Sequence, residues 1–276
     1  MKLSWAVECA GTGMSVPDRI IRNDDFLQWF DTSDEWIVQR TGIRERRWTR
    51  DGESTLSLAT AAGRDAIADA GISPDDIDLI VVATITPEHT LPSTACELQA
   101  ALGCRWVPSY DLSAACSGFV YAMTNAAQSI ELGMARTALV VGVDCMTRMN
   151  NLEDRASAIL FGDGAAAAVL RRSESSDRRV LAARLGADGG RALTIYVPAG
   201  GAALPASQKT IDERLHFVRM QGREVYKFAV TQMHEIVRDT AADAGVAIDD
   251  IKLIIPHQSN LRIIESAVKR LNYPLE

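Results

Sequence analysis

The chain has 276 residues, 47% of them hydrophobic, and a formal net charge of −7. This length and composition suit a globular α/β protein with a sizeable core, and the acidic balance argues against a nucleic-acid partner. Five cysteines without paired spacing argue against a disulfide framework and against a metal site. No apolar run reaches the ~20 residues of a membrane span, and the N-terminus lacks a signal-peptide pattern. We therefore expect a cytoplasmic protein with no bound metal and no membrane partner.

The N-terminal region begins with a predicted strand near Trp5–Glu8 and a glycine turn at Gly11–Gly13. Arginine is then concentrated, with five in the eleven residues from Arg40 to Arg50. Such a positive surface is either a phosphate-binding site or a solvated loop. Trp36, just before it, either stacks a planar base or packs against its neighbours.

An internal repeat organises the predicted fold. An alanine-rich helix over 55–70 and a β-branched strand over 78–84 form one αβ unit. Residues 68–81 align with residues 242–255, with nine of fourteen positions identical. The repeat predicts two duplicated halves, residues 1–174 and 175–276, joined by a connector near Ser173–Asp177. Only 21 residues follow Ile255. We therefore expect the second half to be incomplete and the chain to be truncated at its C-terminus.

Cys116 follows a predicted helix over 97–102 and a short strand that ends in a small-residue turn. The apolar residues that come after Cys116 have a helical period ending at Gly133, so the sulfur is expected at a helix N-terminus. There the helix dipole favours the thiolate and lowers the thiol pKa. The alternative is a small buried cysteine of no catalytic role.

The later part of the chain carries the second candidate residue. Strands are predicted over 137–143 and over 165–170, the second after a tight glycine turn at Phe161–Gly164, and a helix over 225–244. His257 follows a predicted buried strand, Leu253–Ile255, and precedes a helix that begins near Leu261. It is either a catalytic group or a hydrogen-bonded structural histidine.

Cys116 and His257 each follow a predicted strand in one half of the duplicated fold, so we expect pseudo-symmetry to bring both to one crevice between the halves. A thiolate there would attack an acyl carbonyl, and a neutral imidazole would donate a hydrogen bond to the oxyanion.

Four separated motifs in this order resemble one family. They are Asp31–Ile37 with Arg40–Arg44, then Ala114–Phe119, Phe161–Ala165 and Pro256–Arg262. The family is β-ketoacyl-acyl carrier protein synthase III, the initiating condensing enzyme of bacterial fatty-acid synthesis. The resemblance implies an α/β, thiolase-like αβαβα layered fold built from two pseudo-duplicated halves.

The resemblance also implies the reaction and its site. An acyl-CoA primer, typically acetyl-CoA, would acylate Cys116, and malonyl-acyl carrier protein would decarboxylate to an enolate that attacks the acyl-cysteine. His257 would stabilise the enolate with an asparagine expected beyond Glu276. The CoA thioester is a substrate, so no cofactor is expected. CoA would be bound by Thr32, Trp36, Arg40 and Arg155.

Partners follow from the same resemblance. The acidic carrier protein would dock on basic residues, namely Lys227, Arg262, Lys269 and Arg270. A homodimer is expected, in which Leu91 closes the acyl pocket of the partner subunit. Three alternatives remain open: an acyltransferase of the same fold, a polyketide-type starter enzyme, and a non-catalytic protein that binds the carrier protein.

Overall fold

The computed structural model describes residues 5–175 and 177–275, and they form two compact units. The first comprises the described residues of Met1–Arg19, Arg47–Cys145 and Asp163–Ala183. The second comprises those of Ile20–Arg46, Met146–Gly162 and Arg184–Glu276. Ser176, in the predicted connector, lies outside the described residues. The two duplicated halves expected from the repeat stay a prediction.

The strands and helices are numbered here along the chain. The strands are β1 (Val7–Ser15), β2 (Ile20–Arg22), β3 (Glu45–Arg47), β4 (Leu79–Ala83), β5 (Ser109–Leu112), β6 (Thr137–Cys145), β7 (Asp163–Arg172), β8 (Ile195–Tyr196) and β9 (Arg219–Met220). The α-helices are α1 (Asp34–Thr41), α2 (Thr55–Asp69), α3 (Thr94–Leu102), α4 (Gly118–Glu131), α5 (Arg155–Ala158), α6 (Gln208–Asp212), α7 (Gly222–Ala244) and α8 (Leu261–Leu271). Helices α2, α3 and α7 and strands β4, β6 and β7 confirm the predicted elements within a few residues.

The first unit is built on a five-stranded sheet of order β1-β7-β6-β4-β5. Strand β4 pairs in parallel with β5 and β6, whereas β7 runs antiparallel to β6 and β1. All five residues of β4 are buried, as its continuous β-branched run predicts. One face of the sheet packs on α2 and α3, and the other packs on α4. The carboxyl ends of three parallel strands therefore meet at one edge.

The glycines near the N-terminus do not form the predicted turn, because both lie inside β1. A Cβ atom on Gly11 would come within 2.3 Å of the Ala70 backbone nitrogen. One on Gly13 would come within 2.2 Å of the Ala62 carbonyl oxygen. The glycines therefore allow β1 to lie directly against α2, a role that local sequence does not distinguish from a turn.

The second unit holds the helices α1, α5, α6, α7 and α8, and its strands, among them β2, β8 and β9, are short. Helix α8 packs on α7, and the Tyr226 hydroxyl lies 3.0 Å from the Ser266 hydroxyl between them. The predicted strand Leu253–Ile255 is wrong: no ladder among the described residues includes it. The side chains of Leu253 and Ile255 are 71% and 79% exposed. A β-branched run without neighbouring strands leaves its backbone groups to water instead of to a sheet.

Within the described ranges, no helix is both long and apolar enough to cross a membrane.

Candidate active site

Cys116 lies just beyond the edge where β4, β5 and β6 end. Strand β5 stops at Leu112, a 3₁₀ turn spans Ala115–Ser117, and α4 begins at Gly118. The predicted position at a helix start is therefore confirmed, with one 3₁₀ turn before the α-helix. Ala115 has a φ of +45°, a left-handed conformation that costs an alanine free energy. This sharp turn exposes the Cys116 side chain.

Small residues let α4 begin close to the sheet. A Cβ atom on Gly118 would come within 3.0 Å of the Ala83 Cβ at the end of β4. One on Gly142, in β6, would come within 3.1 Å of the Phe119 side chain. The first turn of α4 thus packs directly on two of the parallel strands, and this fixes the position of the preceding cysteine.

The expected lowering of the Cys116 thiol pKa is wrong. Burial of the sulfur's surroundings raises the pKa of this thiol, and the negative charge of Asp144 raises it further. A hydrogen bond from the backbone lowers it by less. Although the side chain reaches solvent, the protein packed around the sulfur disfavours the thiolate. The resting residue is therefore a thiol whose proton must leave before the sulfur attacks.

His257 lies in the second unit, in the irregular segment that precedes Asn260, the N-cap of α8. Its side chain reaches solvent, yet desolvation by the surrounding protein lowers the pKa of the imidazole. The ring is thus neutral at pH 7, the form that can donate one hydrogen bond and accept another. Cys116 belongs to the first unit, so the crevice expected to contain both residues stays a prediction.

Trp36 is covered by two arginines in the second unit. The Arg155 guanidinium carbon lies 4.7 Å from the centre of the indole ring, and that of Arg40 lies 5.3 Å from it. Arg155 also donates a hydrogen bond to the Asp31 carbonyl oxygen at 3.2 Å. An aromatic face with two cations beside it can stack a planar base and attract phosphates.

The start of α1 positions this cluster. The Ser33 hydroxyl is the N-cap and accepts a hydrogen bond from the Trp36 backbone nitrogen at 3.1 Å. Arg40 lies four positions after Trp36, about one helical turn, so both project from one side of the helix. Thr32 precedes the cap, and its Oγ1 atom is buried without a hydrogen-bond partner in the part of the chain that is described. A buried hydroxyl without a hydrogen bond lowers the stability of the fold, unless a ligand forms the missing hydrogen bond.

A buried arginine holds α1 in place, and sequence reasoning missed this role. Arg46 donates hydrogen bonds to the Asn23 side chain at 2.8 Å and to the Ile159 carbonyl at 2.7 Å. Asn23 in turn donates to the Asp34 carboxylate at 2.8 Å. Burial lowers the pKa of the Arg46 guanidinium to about 10. Arg46 lies in β3, within the arginine-rich Arg40–Arg50 segment, and that composition by itself indicates only surface charge.

The predicted carrier-protein residues lie on two helices of the second unit. Helix α8 buries Ile263 and Ala267, and leaves Arg262, Lys269 and Arg270 exposed. Residues seven apart nearly superimpose on a helix, so Arg262 and Lys269 share one side. Lys227, on α7, is exposed and pairs with Glu224 at 2.9 Å. Residue Leu91, in the first unit, is 86% exposed.

Comparisons with known proteins identify the family. Residues 110–189 match the family described as 3-oxoacyl-[acyl-carrier-protein] synthase III, and residues 241–276 match its C-terminal part. The β-ketoacyl-[acyl-carrier-protein] synthase III of Symbiobacterium thermophilum is 48% identical over 265 residues, covering 96% of this chain and 80% of that protein. The one from Rhizorhabdus wittichii is 45% identical, covering 96% and 81%.

Solved structures agree with this result. The 3-oxoacyl-[acyl-carrier-protein] synthase III of Aquifex aeolicus is 40% identical, with a TM-score of 0.88 over 97% of this chain and 82% of that one. The priming β-ketosynthase of the R1128 polyketide pathway is 33% identical, with a TM-score of 0.88 over 100% and 81%. The matched part covers 80% to 82% of these relatives' own lengths, and the expected truncation stays a prediction. The chain belongs to the β-ketoacyl-[acyl-carrier-protein] synthase III family of acyltransferase-type condensing enzymes and has their thiolase-like α/β fold.

Proposed function

We propose that Cys116 carries the acyl group in this family's reaction, the initiating condensation of an acyl-CoA with malonyl-acyl carrier protein in fatty-acid synthesis. The observation that carries the proposal is the exposed thiol on the strained turn before α4, at the carboxyl edge of three parallel strands. Enzymes that need a nucleophile accessible to a bulky acyl donor place it on such strand-to-helix turns.

Two group transfers follow from this assignment. The Cys116 sulfur forms a bond to the acyl carbonyl carbon, the bond to the CoA sulfur breaks, and the thiol proton passes to the departing CoA. Malonyl-acyl carrier protein then loses carbon dioxide, and the resulting enolate carbon attacks the acyl-cysteine. The carbon–sulfur bond to Cys116 breaks, and the sulfur takes up a proton to restore the thiol. No cofactor beyond the CoA thioester substrate enters these steps.

His257 is assigned to the second transfer. Its lowered pKa keeps the imidazole neutral at pH 7, and a neutral ring can donate a hydrogen bond to the enolate oxygen. A positively charged ring would instead hold that oxygen as a tight ion pair.

CoA is assigned to the cluster formed by Trp36, Arg40 and Arg155. The indole face suits the adenine ring, and the guanidinium groups suit the phosphates. The buried Thr32 hydroxyl, unpaired among the described residues, supports a ligand contact at the same place. Base stacking on an aromatic side chain contributes about 1–3 kcal/mol, so Trp36→Ala should raise the KM for acetyl-CoA about tenfold.

The carrier protein is assigned to Arg262, Lys269 and Arg270 on the exposed side of α8, with Lys227 on α7, the helix that packs on α8. Exposed charges of this kind mainly raise the association rate and are screened by salt. Reversing Arg262 and Lys269 to glutamate should therefore raise the KM for malonyl-acyl carrier protein and leave the KM for acetyl-CoA unchanged.

A homodimer is proposed from the free edge of the sheet in the first unit. Strand β5 is an edge strand, and Trp106, just before it, is 97% exposed. A second copy would cover both and would take Leu91 into the acyl pocket of the partner subunit.

We place the reaction in the cytoplasm, because all five cysteines are free thiols.

The test is acylation of the folded protein by acetyl-CoA, followed by mass spectrometry of the peptide that contains Cys116. One acetyl group should appear on Cys116 and none on the Cys116→Ala variant. Condensation is then measured by adding malonyl-acyl carrier protein. A folded sample that gains no acetyl group would support the non-catalytic binding protein instead.

A polyketide-type starter enzyme is the second candidate. The likeness to a priming polyketide ketosynthase, over the whole of this chain, favours it. The family resemblance implies a phenylalanine at the position of Leu91 in straight-chain enzymes; leucine is smaller, so we expect longer or branched primers to compete with acetyl-CoA. Competition between acetyl-CoA and longer or branched acyl-CoA primers distinguishes the two candidates. A strict preference for acetyl-CoA would favour the fatty-acid enzyme.

A further inference from the structure

Asp144 is a half-buried carboxylate at the end of β6, and the mechanism above does not use it. One of its oxygens, Oδ1, accepts four hydrogen bonds from the turn that follows β4. The donors are the Thr84 hydroxyl at 3.0 Å, the Ile85 nitrogen at 2.8 Å, and the Thr86 hydroxyl and nitrogen at 2.9 and 3.2 Å. Four donors of the turn converge on this one oxygen atom, so the turn depends on Asp144.

The same turn is tied to the elements around the cysteine. The Thr84 nitrogen donates to the Leu112 carbonyl at the end of β5, four residues before Cys116. The Thr86 hydroxyl accepts from the Cys145 nitrogen at 2.8 Å. Ala83, the residue before the turn, is the residue on which Gly118 of α4 packs. The turn therefore links the ends of all three parallel strands beneath the start of α4.

The side chain of Asp144 projects toward α4. Gly142 and Asp144 are two residues apart on β6, so their side chains lie on one face of the sheet. A Cβ atom on Gly142 would meet Phe119 of α4, which identifies that face. The loop that begins with the turn also leads to Leu91.

We propose that Asp144 is a positioning residue of the condensation: it holds the Thr84–Thr86 turn against the start of α4 and places its negative charge on the Cys116 side of the sheet. This role rests on Cys116 being the acyl carrier. It predicts two separable effects, one from the hydrogen bonds that Oδ1 accepts and one from the charge.

The charge has a defined target. Burial first, and Asp144 second, raise the pKa of the Cys116 thiol, and burial also raises the pKa of Asp144 against its four hydrogen bonds. Other titratable or charged groups lie on the elements that pack on α4 or belong to α4 and the loop after β4. They are Glu8 and Cys9 of β1, Tyr110 and Asp111 of β5, Cys145 of β6, Asp163, Arg171 and Arg172 of β7, Tyr121 and Glu131 of α4, and Glu88 and His89 of the loop.

Asp144→Asn separates the two effects, because an amide oxygen still accepts the four hydrogen bonds while the charge is lost. Alkylation of Cys116 by iodoacetamide should accelerate about threefold or more at pH 7, and its pH profile should move to lower pH. Acylation by acetyl-CoA should persist. Asp144→Ala loses the acceptor as well, so acylation should fall about tenfold.

Glu88→Gln is the matched control. Glu88 is a carboxylate of the same loop, and its Oε2 accepts from the Leu56 nitrogen at 2.7 Å, a bond that glutamine keeps. This variant should leave the pH profile of Cys116 alkylation and the rate of acylation unchanged. If Asp144→Ala fails to fold, Thr84→Val removes one donor at 3.0 Å and should slow acylation about threefold.

An alkylation profile that is identical in Asp144→Asn and the unsubstituted protein would overturn the role of the charge. Unchanged acylation in Asp144→Ala, or in Thr84→Val where the alanine variant does not fold, would overturn the positioning role. Iodoacetamide needs no acyl-CoA site, so its result stands even if acetyl-CoA does not acylate the protein. In that case the proposed function fails and the effect of Asp144 on the thiol is still decided.

Discussion

The two copies of the internal repeat agree in their first part and differ in their second. Each begins at the end of a long helix, α2 or α7, which is followed by a glycine with positive φ, Gly71 at +66° or Gly245 at +72°. A 3₁₀ turn comes next in both, Pro74–Asp76 and Ile248–Asp250. The first copy then forms β4, whereas the second forms no strand among the described residues.

The difference comes from neighbours, because the sequences of the two copies are so similar. Strand β4 has β5 on one side and β6 on the other, and its residues Leu79 and Ile80 are 5% and 0% exposed. Leu253, which aligns with Leu79, is 71% exposed. Helix ends and 3₁₀ turns satisfy their own backbone groups, but a strand depends on partners elsewhere in the chain.

The largest contrast is expected between the chemical residues associated with the two copies. Cys116→Ala should abolish both acylation and condensation, by about 10³-fold or more. His257→Ala, next to the second copy, should leave acylation intact and slow condensation by about 10²-fold to 10³-fold. Single-turnover acetyl transfer and full condensation assays separate the two steps. Loss of acylation in His257→Ala would contradict this division of roles.

Truncating the aligned leucines compares the two strand segments directly. Leu79→Ala should lower the free energy of unfolding by about 3 kcal/mol, because it leaves a cavity in the core of the first unit. Leu253→Ala removes an exposed side chain and should change it by less than about 0.5 kcal/mol. Urea denaturation followed by circular dichroism gives both values. Equal losses would mean that Leu253 is buried in solution.

The glycines that end the two helices should respond alike. An alanine at a positive φ is strained, so Gly71→Ala and Gly245→Ala should each cost about 1 kcal/mol. No atom lies within 4 Å of a Cβ placed on Gly71, so its cost is backbone strain alone. Thermal melts of the two variants should shift by similar amounts. A large difference between them would show that the copies diverge before the strand.

The smallest effects concern pH, and they have opposite directions. The raised pKa of Cys116 means that thiolate, and hence alkylation, keeps increasing above the ordinary thiol pKa of about 8.5. The lowered pKa of His257 means that its neutral form persists below the ordinary value of about 6.5. Condensation by pre-acylated enzyme should therefore stay level near pH 7 and fall only in more acidic buffer. A fall that begins above pH 7 would contradict the neutral imidazole.

The fold could be predicted where local pattern and tertiary context agree. Helical periodicity and capping glycines were sufficient for α2, α3 and α7, and continuous β-branched runs for β4 and β6. The same reasoning failed at Leu253–Ile255, where the run has no partners, and at Gly11–Gly13, where two glycines allow close packing on α2. The identities of these few residues alone predict neither the exposed segment at Leu253–Ile255 nor the close packing at Gly11–Gly13.

The candidate site divides in the same way. A cysteine before a helix is visible in sequence, but its thiol pKa is raised by burial and then by Asp144, and both depend on residues elsewhere in the chain. Trp36 and Arg40 are visible as neighbours on α1. Their proximity to Arg155 needs the folded second unit, and only the family resemblance pointed to it.

Under the proposed assignment of CoA to this cluster, the stacking of Arg155 on Trp36 has a consequence for how fast CoA would leave. A base inserted between them would add a second layer, so the separation would have to grow from 4.7 Å to about 7 Å. Entry of adenine is therefore an exchange, in which one cation–aromatic contact is replaced by two stacked ones. The net gain is smaller than for an open indole, and Arg155 can return as the base departs. Such a cleft suits a nucleotide that must be released in every catalytic cycle before the second substrate arrives.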